Sequence, residues 1–159
     1  MSNDRVVMEE AANARKIGTP RDGAAIEITG LLYSTLKWAA EINTQGVYKW
    51  DSVKTSEGKV VKLTEWAGLI KKNFEKLYYI PKDPKDDGKY AVKPELVNRR
   101  GIYKDVYGGG KEYEDYQLRP NFAITMTVAP DLFVPEHALG CLRLADEVLR
   151  GPTGMATLE

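Results

Sequence analysis

Two short stretches carry the residues best placed to do chemistry. In the first, Arg21 and Asp22 lie within Gly18-Thr19-Pro20-Arg21-Asp22-Gly23, which Gly and Pro punctuate as a turn. Guanidinium, carboxylate and backbone N–H groups fixed on a rigid turn suit recognition of sugar hydroxyls. The competing reading has Asp22 capping the next helix and Arg21 solvated, and composition favours it. Glu27 follows inside an otherwise apolar segment, 24–28, where a carboxylate needs a partner. It either pairs structurally or lines a site, and the sequence leaves the two even. The second stretch is Leu118-Arg119-Pro120-Asn121. Its proline fixes the backbone between two polar heads that precede an apolar run. Two such heads at a helix start can point into a cleft, and an ordinary capped helix is the slightly favoured alternative.

Other chemistries are narrowed by counting. The chain has one cysteine, Cys141, and one histidine, His137, so no zinc site of Cys and His ligands forms within it. A Ser-His-Asp or Cys-His arrangement would have to use His137, which leaves carboxylates as the acid–base material. His137, beside Glu136 in the first turn of the last helix, reads as a surface residue, and Cys141 as core. Gly108-Gly109-Gly110-Lys111 is followed by Glu112, so it lacks the G-x-x-x-x-G-K-[ST] pattern of a phosphate loop. Tyr90, Tyr103, Tyr107, Tyr113 and Tyr116 can stack on sugar rings, but at least three of them read better as anchors that hold a long loop to the body.

A length of 159 residues predicts one domain. With 43% hydrophobic and 29% charged residues the composition is globular. The 23 basic and 23 acidic residues cancel, which argues against a nucleic-acid partner, since phosphate binding needs a cationic surplus. Apolar runs fall short of the ~20 residues that span a bilayer. No secretory leader is evident, and the reading is cytoplasmic. No cofactor is implied, and the oligomeric state is not legible.

The elements that must position these residues are mostly helical. A polar helix is expected within 1–17, over residues 4–16. Residues 24–42 read as the strongest helix, with Ile28, Leu31, Leu32, Leu36, Ala39 and Ala40 on one face and Asp22 as its cap. Apolar residues off that face make it hydrophobic nearly all round, the mark of a helix inside a larger body. Residues 47–63 suggest a hairpin or an extended loop pair around Thr55-Ser56-Glu57-Gly58. Thr64 then caps a helix striped by Trp66, Leu69, Ile70, Phe74, Leu77 and Tyr78. The stretch 81–117 is an irregular, Tyr-rich loop. Asn121 caps a short helix over 122–129. The last helix starts at Pro135 and stops at Gly151-Pro152.

Longer strings go further. Thr-Pro-Arg-Asp-Gly-Ala-Ala-Ile-Glu-Ile-Thr-Gly-Leu at 19–31 resembles the glucosidase half of eukaryotic glycogen debranching enzymes. So do Asn73-Phe74-Glu75-Lys76, Arg100-Gly101-Ile102-Tyr103-Lys104-Asp105-Val106-Tyr107-Gly108 and Asp115-Tyr116-Gln117-Leu118-Arg119-Pro120-Asn121-Phe122. Val128-Ala129-Pro130-Asp131-Leu132-Phe133 and Gly151-Pro152-Thr153-Gly154-Met155 look like the same family, in the same order.

The resemblance implies part of an (α/α)6 barrel, so that 1–159 is one segment of a glucosidase domain. It implies a glycogen or branched α-glucan substrate and a parent enzyme that joins 4-α-glucanotransferase and α-1,6-glucosidase activities. It places Arg21, Asp22, Glu27, Arg119 and Asn121 around the glucose-binding end. An inverting glycosidase needs an acid and a base carboxyl roughly 6.5–9.5 Å apart. The family's acid lies in a Gly-Thr-Trp-Met-Asp-like motif upstream of the Arg21 turn, where this chain has residues 1–17. Its base lies in a His-Gln-Gly-Pro-Glu-Trp-like motif downstream of position 159. Neither motif is present, so no catalytic residue is assigned, and the chain alone is expected to be inactive. A free-standing, non-catalytic glucan-binding module is the alternative.

Overall fold

The computed structural model describes residues 21–158. The helix expected over 4–16 and the Gly18–Pro20 part of the turn lie outside the described residues. As expected, the architecture is mainly α-helical. Five α-helices are described: α1 (Ile26–Thr44), α2 (Leu63–Tyr78), the single turn α3 (Glu112–Asp115), α4 (Phe122–Val128) and α5 (Pro135–Leu149). The described residues do not close into a barrel. Around the helices run four two-stranded antiparallel pairs.

Two of these pairs fix the site. β1 (Ala24–Ala25) pairs with β6 (Val106–Tyr107), and β4 (Tyr79–Ile80) pairs with β5 (Ile102–Tyr103). The chain between β5 and β6 is the dipeptide Lys104-Asp105. It is therefore held at the junction between the start of α1 and the end of α2. Two backbone bonds complete that junction: Ile26 N donates to the Asp105 carbonyl at 3.0 Å, and Lys104 N donates to the Tyr78 carbonyl at 2.8 Å.

The core is aromatic at its centre. Phe74, Tyr78, Tyr79, Tyr103, Phe122 and Phe133 are all buried, and Phe133 meets both Phe74 and Tyr103 edge-on at about 5 Å. Edge-to-face pairs of this kind add roughly 0.5–1.5 kcal/mol beyond their buried area. From α5, Cys141, Ala145 and Leu149 seal one side. α1 crosses α4 so closely that a Cβ on Gly30 would sit 2.5 Å from the Thr125 methyl. The buried Thr125 hydroxyl donates to the Ile26 carbonyl at 2.8 Å, so the approach satisfies a polar group as well as filling space.

The expected helices form, but α1 is rotated. It begins at Ile26, two residues later than expected, because Ala24–Ala25 are drawn into pairing with β6. Its buried residues are Ile26, Gly30, Tyr33 and Leu36. Ile28 and Leu31, expected at the core, are 58% and 43% exposed. In α2 the buried residues are Leu63, Ala67, Phe74 and Tyr78, and the expected Leu69 faces out.

None of the three expected caps acts as one. α1 follows Ala25, α2 follows Lys62 with Thr64 already inside its first turn, and Asn121 makes no cap bond to α4. Asp22 and Asn121 spend their side chains elsewhere, as described below.

The hairpin forms as expected, β2 (Ser52–Lys54) against β3 (Val60–Lys62). The 81–117 stretch is irregular, with 3-10 turns at Pro84–Lys89 and Pro94–Leu96. It is tied down by Ala91 N to the Lys76 carbonyl, Gly101 N to the Ile80 carbonyl and an Arg100–Asp87 ion pair. Tyr90, Tyr103 and Tyr116 pack inward and anchor it, whereas Tyr107 and Tyr113 are exposed.

Candidate functional site

The corner between β5 and β6 carries Asp105, whose side chain is 1% exposed. Donors from two other stretches of chain converge on it. Arg21 approaches side-on, with Nε 2.7 Å from Oδ2 and Nη2 3.1 Å from Oδ1. Asn121 Nδ2 donates to Oδ1 at 2.7 Å, and Arg119 Nε lies 3.6 Å from Oδ2. The outer fork of Arg21 is taken by Glu27, with Nη1 to Oε1 at 2.5 Å and Nη2 to Oε2 at 2.6 Å. One guanidinium thus bridges two carboxylates, with a bidentate geometry that Arg alone offers. Arg119 also donates to Gln117 Oε1 through Nε and Nη2, at 3.3 and 3.0 Å.

The elements explain the convergence. Pairing of β1 with β6 brings the segment just before α1 alongside the Asp105 corner. Glu27 sits in the first turn of α1, six residues after Arg21. Pro120 sets the entry into α4, which lets Arg119 and Asn121 reach the same carboxylate.

The charges are settled by these contacts. The hydrogen bonds that Arg21 donates to Glu27 hold its guanidinium more firmly protonated than usual; burial opposes this, and Asp105 reinforces it. Burial pushes the Glu27 carboxyl up, but the Arg21 bonds outweigh it and keep that carboxyl below its ordinary range. Two guanidinium groups face two carboxylates, so the cluster is neutral. It offers directional donors and acceptors without a net field, which suits a neutral polyhydroxyl ligand better than a phosphate. Held ionised by Arg21, Glu27 has no proton to give as a general acid.

Asp22 departs from this group. Its Oδ1 accepts from Gly110 N at 2.7 Å, and Asp115 Oδ2 accepts from Gly108 N at 3.0 Å and Gly109 N at 3.3 Å. Two carboxylates clamp the glycine loop against the Arg21 segment. Gly23 has to be glycine here, because a Cβ would lie 2.7 Å from the backbone of Gly108 and Gly109.

Beside the clamp lies a cavity of about 300 Å³ lined by Ala91, Val92, Lys93, Lys104, Tyr107, Glu112, Asp115 and Tyr116. Burial brings the Lys104 amine down to about 8, against the opposing pull of Asp115. Burial also raises the Asp115 carboxyl. No group of three His, Cys, Asp or Glu side chains among the described residues can hold a metal ion.

Of the five residues singled out from sequence, four meet at one point: Arg21, Glu27, Arg119 and Asn121. Asp22 is adjacent but turned to the glycine loop. The residue that unites them, Asp105, went unselected because nothing in Tyr103-Lys104-Asp105-Val106 distinguishes a buried corner from an exposed turn. The available signal was the pair of β-branched–aromatic dipeptides, Ile102-Tyr103 before and Val106-Tyr107 after, which form two short strands.

His137 is also not the surface residue expected. Its ring stacks on Tyr79 at 3.8 Å, and Nδ1 lies 3.2 Å from Glu75 Oε2. Glu75 additionally accepts from Tyr103 Oη and Val134 N. Cys141 is core, as expected.

Fold and site together define a mainly helical protein with a charge-balanced guanidinium–carboxylate centre at a helix–strand junction. Residues 2–159 match the family model described as amylo-alpha-1,6-glucosidase, and the chain belongs to that family. It is 58% identical over 152 residues to the glycogen debranching enzyme of Saccharomyces cerevisiae. That alignment covers 95% of this chain and 10% of the relative, so the chain spans about a tenth of that protein's length.

Proposed function

We propose that this chain supplies part of the sugar-binding wall of a glycogen-debranching glucosidase domain. In this reading it belongs to an (α/α)6 barrel and contributes to hydrolysis of α-1,6-linked glucose at glycogen branch points. The parent enzyme also carries 4-α-glucanotransferase activity, takes part in glycogen breakdown and works in the cytoplasm. The observation that carries the reading is the convergence of Arg21, Glu27, Arg119 and Asn121 on buried Asp105, within a chain of this family.

Arg119 and Asn121 bind glucose hydroxyls, while Asp22 and the glycine loop shape the rim. Asn121 spends one N–H on Asp105, which leaves its amide oxygen for a sugar hydroxyl. None of these residues is the acid or the base. The chain therefore binds and orients, and hydrolysis by it alone is not expected.

The test is Arg119→Ala in an intact debranching enzyme. Glucosidase turnover on a branched limit dextrin should fall while transferase activity holds. Unchanged glucosidase kinetics would remove Arg119 from the site.

One observation supports the alternative of a free-standing glucan-binding module: the described residues share one contiguous apolar core running from Ile26 to Leu149. Titration of the isolated chain with a branched maltooligosaccharide separates the two. Saturable binding with dispersed amide resonances favours the module, and collapsed resonances favour the domain fragment.

A further inference from the structure

The cavity beside the glycine clamp is not used in the proposed function, and it contains a nucleophile. Lys104 is 2% exposed. Its Nζ donates to the Ala91 carbonyl at 2.5 Å and lies 4.4 Å from the Tyr116 ring centre and 5.5 Å from that of Tyr107. Among the described residues the Ala91 carbonyl is the one hydrogen-bond acceptor of this amine. An ammonium has three N–H bonds to place, and a buried one left short of acceptors is disfavoured. A neutral amine keeps the Ala91 bond and turns a lone pair to the cavity. The two rings favour the cation, but burial prevails, in line with the lowered amine noted above.

Ala91, Val92 and the two tyrosine rings give the cavity a largely apolar wall, and its charged groups are paired. Lys93 bonds Glu112, with Nζ 2.5 and 2.6 Å from its two carboxylate oxygens, at the exposed rim. Asp115, buried opposite, holds the Gly108 and Gly109 amides. Tyr107, Tyr116, Lys93, Glu112 and Asp115 are the titratable groups that share the cavity with Lys104.

We propose that Lys104 is a carbonyl-capturing residue and that the Tyr107–Tyr116 cavity is the pocket that admits small hydroxyaldehydes to it. The neutral amine adds its lone pair to the aldehyde carbon, forming a C–N bond as the carbonyl π-electrons move to oxygen. Transfer of a proton from nitrogen to that oxygen gives a carbinolamine. The leaving hydroxyl takes a proton from solvent, water departs as C=N forms, and the iminium returns its proton to solvent. Amine and aldehyde become imine and water, with no oxidant or reductant consumed. The Glu112 carboxylate at the exposed rim receives the aldehyde's hydroxyls. This inference stands apart from the proposed function and does not depend on it.

The test uses the chain itself, with glyceraldehyde as probe and cyanoborohydride to trap the imine, followed by peptide mass mapping. At pH 8 an ordinary lysine is almost wholly protonated, so Lys104 should be labelled about tenfold faster than exposed Lys59 and Lys62. In denaturing urea the ratio should fall to about one, because the pocket creates the advantage. Lys104→Arg should remove that label and leave Lys59 and Lys62 labelled as before. Equal or slower labelling of Lys104 in the folded chain overturns the proposal, as does an advantage that survives urea. Propanal, which lacks hydroxyls, should label Lys104 more slowly than glyceraldehyde, and the reverse order overturns the hydroxyaldehyde assignment. If the arginine variant does not fold, the folded-against-urea ratio in the natural chain decides alone.

Discussion

Asp105 and Asp131 each gather donors from distant stretches of chain, yet one is sealed from water and the other is not. Asp105 receives Arg21, Asn121 and Arg119 at 1% exposure. Asp131, in the 3-10 turn Pro130–Leu132, accepts from Tyr33 Oη at 2.6 Å, Lys71 Nζ at 3.0 Å and Lys37 Nζ at 3.1 Å, all on one oxygen, at 37% exposure. Burial still pushes Asp131 up, but these three donors outweigh it and hold the carboxyl low. The number of partners is equal, and the surroundings differ. In the sealed site the donors are planar and fork-shaped, with little freedom. At the open site the two lysines are point charges on flexible stems that water can replace. A carboxylate that holds several side chains in fixed orientation needs the first environment, whereas one that only ties helices together can work in the second.

The largest expected effect breaks the sealed site. Asp105→Ala leaves Arg21 and Arg119 without their shared anion and should cost about 3–5 kcal/mol of stability by urea denaturation, as removal of one partner from a buried ion pair does. Asp131→Ala should cost about 1 kcal/mol or less. Equal losses would mean that burial is not what separates the two sites.

Next in size is Gly30→Ala. The added methyl meets Thr125 at 2.5 Å, and overpacking of this kind costs roughly 1–3 kcal/mol. Thr125 also holds the Ile26 carbonyl, so the variant tests whether packing of α1 on α4 sets the turn that carries Glu27. A Gly30→Ala chain as stable as the original would refute that link.

Much of this was legible in the sequence, and the misses share a cause. Helices over α1, α2, α4 and α5, the hairpin and the anchoring role of Tyr90, Tyr103 and Tyr116 follow from periodicity and turn chemistry. The four residues that meet at Asp105 stand out by the family resemblance together with their polar character near helix starts. What periodicity could not supply was which face of α1 turns inward. Ile28 and Leu31 are as apolar as Ile26, and the choice is made by two short strand pairs and by Gly30, each a long-range contact. The caps failed for the same reason. Asp22 and Asn121 have the right chemistry for local capping, but partners some 88 and 16 residues away claim them first.

Acid sharpens the comparison at a smaller scale. Glu27 and Asp131 both have folded carboxyls lower than unfolded ones, near 4.3 and 3.9 respectively. Below those values the unfolded chain binds more protons than the folded one, so stability rises with pH there and is lost on acidification. Above about pH 5 both contributions are complete. Melting temperature should therefore fall between about pH 5 and pH 2, and Glu27→Gln should flatten the early part of that fall. At high salt the part due to Asp131 should shrink, and the part due to sheltered Glu27 should persist. A fall that salt abolishes altogether would place both carboxyls in the solvated class.

The smallest expected effect lies in the lysines of the open site. Lys37→Ala and Lys71→Ala should each cost about 0.2–1 kcal/mol. Both donors share one Asp131 oxygen, so loss of either relieves crowding and lets the other bond better. The double variant should thus lose more than the sum of the singles, in a cycle that includes Asp131→Ala as reference. Simple additivity would mean that the two lysines act as independent, screened charges, and the contrast with the Asp105 cluster would then be one of cooperativity as well as burial. The corresponding cycle between Arg21→Ala and Arg119→Ala, about a sealed carboxylate, should show strong coupling in the same assay.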